Sequence, residues 1–330
     1  MRVHVALTPA DASGLILDGW TAIAVDVLRA TTTVVAACAA GCVRIIPVTD
    51  SGAARERAAL FTAGEVLMAG ERGGETIPGF HLGNSPLEFT PERVRGRTIL
   101  LTTTNGTAAM LGAGSAGAGA VAALTNVSAV ARWALAQGRD LAVLCSGDDG
   151  SFSLEDAVCA GLLVSDVASA CDAELSDAAV AAVGLGRYYA TRIGDLRHAS
   201  RWARRLAGKG HSADVDACLR RDVTDMVPVV EAGAIVPGPA ASAPPGTTGP
   251  RQKASCDVIG AVRAPTPPAQ APEGSPRTAG PPPGDVLRLG FPEGSPRTAG
   301  PQPRDVLRLA VRPGGRFGRG ARPPSGDPSR

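Results

Sequence analysis

The sequence predicts an α/β fold, a three-layer α/β/α arrangement around a mostly parallel or mixed sheet, followed by a disordered C-terminal tail. Three observations lead there. Over residues 1–237, short apolar runs of strand length alternate with segments of helix length, the pattern of parallel strands joined by crossover helices. Hydrophobic residues make up 44% of the chain and aromatics only 3%, so the core must be built mainly from Ala, Val and Leu. After residue 238 that composition gives way to Pro, Gly, Ala and Arg.

The strands are read at 3–7 (VHVAL), 22–27 (AIAVDV), 43–48 (VRIIPV), 65–69 (EVLMA), 97–103 (RTILLTT), 119–124 (GAVAAL) and 140–145 (DLAVLC). Helices fall between them at 30–40, 51–63, 105–112 and 127–137. Beyond Cys145 the pattern turns helical, with helices at 153–171, at 176–207 with a break near Gly194, and at 212–221. A last strand, 226–231 (MVPVVE), closes the domain, so the expected organisation is one folded domain over 1–237 and a tail over 238–330.

The tail holds two copies of a 20-residue repeat, PEGSPRTAGPPPGDVLRLG at 272–290 and PEGSPRTAGPQPRDVLRLA at 292–310. Each copy offers only Val, Leu and Leu as an apolar patch, too little to offset the entropy of ordering the chain. Two copies also fall short of the three or so that a solenoid needs. Charge divides at the same boundary. Residues 1–237 hold 20 basic and 25 acidic side chains, a balance of −5; residues 238–330 hold 13 and 6, a balance of +7; the whole chain carries +2. Lys209 and Lys253 are its only lysines, an arginine bias that reads as codon composition and not as a nucleic-acid signature.

The seven cysteines form no CxxC pair, and Cys38, Cys42, Cys145, Cys159 and Cys171 sit among Ala, Val and Leu. They read as reduced, buried residues of a cytoplasmic protein. The N-terminus lacks the charged-then-apolar run of a signal peptide, and no uninterrupted apolar stretch reaches membrane-spanning length, so no membrane partner is expected.

Three strand ends carry polar residues that a strand does not need. In VDVLRATTTVV (25–35), Asp26 ends a strand, and Arg29 with Thr31 to Thr33 opens a helix. A helix N-terminus beside a guanidinium is a ready anion site, and Asp26 could hold a divalent cation or attack phosphorus. An equal reading makes Thr31 an N-cap and Asp26 a solvent-facing strand end. LLTTTNGTAAM (100–110) repeats the logic with Thr104, Asn105 and Gly106, where hydroxyls and N–H groups suit oxyanions. The alternative is a well-capped helix; there is no P-loop spacing and no lysine. VLCSGDDGSFSLEDAVCAG (143–161) sets Ser146 after a strand and Glu155 and Asp156 in the first turn of a helix. Ser153 and Asp156 fit a capping box there, while Glu155 or Asp156 could instead bind Mg²⁺. Cys145 lacks the closely following arginine of a cysteine phosphatase and reads as structural.

Ligands of an open parallel sheet bind outside the carboxyl ends of its strands, so these three ends should converge on one crevice. The loop over 70–89 (GERGGETIPGFHLGNSPLEF) leaves strand 65–69 at the same edge, carrying Glu71, Arg72, Asn84 and Glu88 to the mouth as a wall or lid.

The ordered set VDVLRATTT, GERGG…IPGF.LGNSP.E, TTTNGT and CSG..G.FSLED..CAG resembles the 2-phosphosulfolactate phosphatase family, as does GHSADVDACLRRDVTDMVPVV (210–230), shortened before Asp214. The resemblance covers about residues 1–237 and leaves the tail unmatched. It implies a Mg²⁺-dependent phosphatase that turns (2R)-2-phospho-3-sulfolactate into 3-sulfolactate on the route to coenzyme M. Matched motif by motif, it implies a pocket of Asp26, Arg29, Thr31, Glu71, Arg72, Asn84, Glu88, Thr104, Asn105, Gly106, Ser146, Glu155 and Asp156.

Chemistry then suggests roles. Asp26, Arg29, Glu155 and Asp156 are the catalytic candidates. Thr31, Arg72, Asn84, Thr104, Asn105, Gly106 and Ser146 are the substrate-binding ones. Mg²⁺ would take its ligands from Asp26, Glu71, Glu88 and Asp156. Arg29 and Arg72 suit forked contacts to a small polyanionic substrate. The nucleophile is metal-bound water or Asp26, with water favoured because DVLRATT lacks a DxD pattern. His81 and His211 read as polar loop residues. A phosphatase for another small phosphorylated acid, or a non-catalytic anion-binding module with an interaction tail, stays open, as does a homo-oligomer.

Overall fold

The computed structural model describes residues 1–238; the expected tail after Gly238, with its repeat, lies outside the described residues. Within them, eleven strands form one sheet: β1 (Arg2–Ala6), β2 (Thr21–Val25), β3 (Arg44–Pro47), β4 (Val66–Arg72), β5 (Glu75–Thr76), β6 (Thr98–Thr102), β7 (Ala118–Ala122), β8 (Leu141–Cys145), β9 (Glu174–Leu175), β10 (Pro228–Glu231) and β11 (Ala234–Pro237). Every strand expected from the sequence is there. The short β5, β9 and β11 are additional, each too brief or too polar at its ends to register as an apolar run.

Alternate residues of the central strands feed opposite faces, as a strand's twofold side-chain period requires. Ile23 and Val25 of β2, with Leu141, Val143 and Cys145 of β8, pack beneath helices Val127–Ala136, Leu154–Ala168 and Asp177–Tyr189. Ala22, Ala24, Ala142 and Leu144 face helices Ala30–Ala39 and Gly106–Ala113 on the other side. The core is aliphatic on both faces, as the scarcity of aromatics requires. A smaller cluster of Ile46, Val48, Ala54 and Leu100 sits under helix Ser51–Ala58.

The helical stretch over 176–207 breaks near Gly194 as expected, into Asp177–Tyr189, a 3₁₀ turn at Ile193–Asp195, and helices Leu196–Ala199 and Arg201–Gly208, the last separation being a second, unexpected one. Ser200 causes the second restart: its hydroxyl accepts the Ala203 N–H at 3.0 Å and caps the helix that follows.

Strand order is β5-β4-β6-β3-β11-β10-β7-β2-β8-β1-β9. Two parallel blocks, β4-β6-β3 and β7-β2-β8-β1-β9, flank the antiparallel hairpin β10-β11. The hairpin turns at Ala232 and Gly233, both at positive φ (48° and 78°), which matches the twist of its strands. It pairs antiparallel to β7 on one side and to β3 on the other. The expected strand at 226–231 is β10, and among the described residues it and β11 come last in sequence. They run through the middle of the sheet, joining the two blocks.

Three antiparallel steps separate β3 from β7, so the two blocks run in opposite senses along the sheet. A flat sheet would put the carboxyl ends of β6 and β2 on opposite edges. At about 20–25° per strand pair, the five steps from β6 to β2 turn the sheet through on the order of 100°. The sequence reading anticipated convergence along one edge of a parallel sheet; here the two blocks run in opposite senses, yet Gly106 after β6 lies against the Asp26 carboxylate after β2.

Helices Leu154–Ala168 and Asp177–Tyr189 meet at Gly161, where a Cβ would overlap the Ala182 carbonyl oxygen. Gly184 faces open space, with nothing within 4 Å of its Cβ position. Gly161→Ala should cost about 3 kcal/mol or more through overpacking, whereas Gly184→Ala should gain up to ~1 kcal/mol from helix propensity. Urea midpoints of the two variants check both signs.

Candidate active site

Asp26 follows β2 directly, and its backbone is fixed by the helix after it. The Thr31 hydroxyl accepts the Asp26 N–H at 3.1 Å and donates to the Asp26 carbonyl at 2.7 Å. Thr32 donates to the Val27 carbonyl at 2.7 Å, and Thr33 to the Asn84 carbonyl at 3.0 Å. All three threonine side chains are buried. They hold the backbone of this corner; Thr31 does not reach the cavity.

Arg29 sits at φ 95°, an uncommon conformation for any residue with a Cβ. Its buried guanidinium donates to the Gly74 carbonyl at 2.8 Å and pairs with Asp214 at 3.5 Å. Asp214 also accepts the Ser85 hydroxyl at 2.6 Å. One arginine thus joins the corner after β2 to the β4–β5 turn and to helix Ser212–Cys218.

Glu71 lies on β4, and its two carboxylate oxygens accept the N–H groups of Thr104 at 2.8 Å and Gly74 at 2.7 Å. Asp156 acts in the same way at the opposite block, accepting Val27 N–H at 2.8 Å and Gly147 N–H at 3.2 Å. The Ser153 hydroxyl caps the Asp156 amide at 3.4 Å, the capping half that the sequence foresaw. Gly106 opens helix Gly106–Ala113 with almost no room. A Cβ there would lie 2.8 Å from an Asp26 carboxylate oxygen and 2.6 Å from the Ala30 Cβ.

These segments enclose a cavity of about 130 Å³. Asp26, Arg29, Glu71, Asn84, Thr104 and Asn105 line it, all of them anticipated from the sequence. Gly106 lies against the Asp26 carboxylate at its floor. Thr31, Arg72, Glu88, Ser146, Glu155 and Asp156 are not among its lining residues. Arg72 donates to the Glu71 carbonyl and to the Thr102 hydroxyl. Glu88 accepts the Gly83 N–H at 3.0 Å and pairs with Arg93 at 3.7 Å. Ser146 instead lines a neighbouring, largely apolar cavity of about 230 Å³ that shares Asn105. The stretch over 70–89 is a wall in part, contributing Glu71, Gly73 and Asn84; its first residues belong to the β4–β5 hairpin.

Sequence reasoning missed Thr103, Asp148, Asp149, Trp202 and Arg205, which also line the cavity. Asp148 and Asp149 stand in the turn after β8 and follow the same strand-end logic as Asp26. Trp202 and Arg205 come from helix Arg201–Gly208, where nothing in the local pattern separates a cavity-facing side chain from a solvated one.

The electrostatics are dominated by carboxylates. Burial pushes the Asp26 carboxyl well above its usual range, Glu71 and Glu155 push it further, and Arg29 opposes them. Asp156 is raised by burial and then by Asp26 and Glu155, against the two amide bonds it accepts. Glu155 is raised by burial, against hydrogen bonds from its own amide, Ser200 and Ser153. The Cys145 thiol is raised by burial and by Asp156, so it stays protonated and is no nucleophile.

Among the described residues, no three His, Cys, Asp or Glu side chains are gathered closely enough to hold a metal ion. The four carboxylates Asp26, Glu71, Glu88 and Asp156 do not gather into a cage: only Asp26 and Glu71 line the cavity, and both oxygens of Glu71 and Asp156 and one of Glu88 accept backbone N–H groups. Asp26 is different: among the described residues its carboxylate has no donor, and it faces the cavity amid like charges. Mg²⁺ commonly takes one or two carboxylates, substrate oxygens and water, and one cavity carboxylate fits that mode.

Comparison with known proteins supplies an independent line. The chain matches the family described as 2-phosphosulpholactate phosphatase over residues 7–233. It is 37% identical over 213 residues to a probable 2-phosphosulfolactate phosphatase of Caldanaerobacter subterraneus subsp. tengcongensis, covering 64% of this chain and 88% of that protein. A protein of the same description from Symbiobacterium thermophilum is 39% identical over 221 residues, covering 67% and 95%. Another from Deinococcus radiodurans is 39% identical over 218 residues, covering 66% and 90%. With a match over most of its length that takes in every segment lining the cavity, the chain belongs to the 2-phosphosulpholactate phosphatase family.

Proposed function

We propose that this protein hydrolyses (2R)-2-phospho-3-sulfolactate to (2R)-3-sulfolactate and phosphate in a Mg²⁺-dependent reaction on the route to coenzyme M. The observation that carries the reading is Asp26: a cavity-facing carboxylate without a donor among the described residues, next to a buried guanidinium, in a chain of this family. The names of the relatives support the substrate. The six free cysteines among the described residues accord with a reducing, cytoplasmic setting.

Mg²⁺, held by Asp26 and by the substrate's own oxygens, would neutralise charge on the transferring phosphoryl group. Arg29 adds a fixed positive charge in a water-poor site, where it acts more strongly than in solution. Helix Gly106–Ala113 begins beside Asp26, and no side chain from Asn105 caps its first turn, so its positive end adds to the same field. Asp149 also lines the cavity, and no side-chain hydrogen bond or ion pair engages its carboxylate among the described residues. It is the group available to take a proton from attacking water. A substrate of few heavy atoms suits a cavity of about 130 Å³.

Asp26→Asn should lower phosphate release on the order of 10³-fold while the fold persists. The same variant should be more stable than the parent without metal at pH 7–8. A carboxyl whose folded pKa is raised contributes its full stability only below the unfolded value, and loses it as pH rises through the folded one. Thermal melts in EDTA at pH 4 and pH 8 test this: the gain should appear at pH 8 and vanish at pH 4. Gly106→Ala, which must displace Asp26 or Ala30, should reduce kcat by about 10²-fold. Phosphate release with and without Mg²⁺ checks both variants; metal-independent turnover would overturn the metal assignment.

A further inference from the structure

Two arginines, Arg29 and Arg205, line the cavity, and Arg72, Arg201 and Lys209 bind residues of its walls or their neighbours; all but Arg205 are committed to protein acceptors. Arg29 holds the Gly74 carbonyl and Asp214. Arg72 holds the Glu71 carbonyl and the Thr102 hydroxyl. Arg201 grips the Asp148 carboxylate through two nitrogens, at 3.1 and 2.8 Å. Lys209 donates to the Gly73 carbonyl. The fifth, Arg205, lines the cavity, yet no hydrogen-bond acceptor or carboxylate engages its guanidinium among the described residues. Its guanidinium carbon lies 5.3 Å from the centre of the Trp202 ring, and Trp202 lines the same cavity.

This is an unusual use of an arginine. Stacking on an indole restrains the guanidinium plane and leaves its edge donors unspent. The wall around it is acidic, with Asp26, Glu71, Asp148 and Asp149 all contributing. A substrate bearing an acidic group besides its phosphate would be repelled there unless one cation were free to receive that group. Arg29 is buried and adjoins Asp26, where the phosphoryl group is processed. Arg205 is exposed on a separate helix, Arg201–Gly208, and can meet an incoming anion without breaking an existing bond.

We propose that Arg205, stacked on Trp202, binds the non-transferring acidic group of the substrate and thereby selects phosphorylated acids over phosphate esters of neutral alcohols. The assignment rests on the phosphatase reading above and extends it to specificity. A carboxylate or a sulfonate would take forked N–H bonds from the guanidinium edge, a geometry that lysine cannot copy.

Calorimetric titration of 3-sulfolactate into the full chain, unsubstituted and as Arg205→Gln and Arg205→Lys, tests it. Arg205→Gln should weaken binding about 10- to 100-fold, the range of a charge-assisted hydrogen-bonded pair, with Arg205→Lys in between. In turnover, Arg205→Gln should raise KM for 2-phosphosulfolactate and leave kcat within about threefold, the signature of lost uniform binding. Isopropyl phosphate, which lacks a second acid, should lose several-fold less than 2-phosphosulfolactate on the same substitution. Unchanged 3-sulfolactate binding, or an equal loss on both esters, would overturn the assignment. Failure of the unsubstituted protein to hydrolyse either ester would count against the phosphatase reading alone, because the calorimetry still decides whether Arg205 holds the acid.

Discussion

Asp156 receives the N–H groups of Val27 and Gly147, and the cavity depends on that pair of bonds. The two amides belong to the turns after β2 and β8, neighbouring strands whose ends would otherwise be free to splay. A buried carboxylate with two backbone donors is a strong, short-range tie. It sets where the chain leaves β2 and so fixes the position of Asp26 one residue earlier. Glu71 repeats the device in the other block, drawing the Thr104 amide and the β4–β5 turn together. The molecule uses acidic side chains twice over: as ties beneath the cavity, and as chemistry within it.

That economy has an electrostatic cost. Asp26, Glu155 and Asp156 crowd one region, and burial makes their ionised forms expensive. Arg29 and Arg201 offset part of it through Asp214 and Asp148. Asp156 is partly relieved by its two amide donors, whereas no donor reaches the Asp26 carboxylate among the described residues. A site arranged in this way favours a cation and a proton-exchanging role at a single position, and the unusual backbone of Arg29 beside it is a further sign of strain held at a functional corner.

The topology explains how distant motifs reach one another. The β4-β6-β3 block, joined to β7 through the β10–β11 hairpin, places Thr103 and Gly106 against the corner after β2. Gly106 is then obligatory, since any side chain would enter the space of the Asp26 carboxylate. Among the described elements the hairpin comes last in sequence yet lies centrally in the sheet, so the two blocks have no continuous sheet between them until residues 228–237 are in place.

Strand and helix positions were legible in the sequence because apolar runs and their spacing express local periodicity directly. So were Asp26, Arg29, Glu71, Thr104 and Asn105, since polar residues just past an apolar strand have no packing reason to be there, while Asn84 came from the 70–89 loop and the motif resemblance. The sequence determined by itself the layers, the aliphatic core and the segments that supply the cavity. Tertiary structure alone decided which polar side chains face that cavity. Glu71, Glu88, Asp156 and Asp26 look alike as sequence, and only the positions of unpaired backbone N–H groups, fixed by the fold, separate three tying carboxylates from one free. Trp202 and Arg205 reach the cavity because Ser200 restarts a helix over it, a long-range placement that no local period encodes.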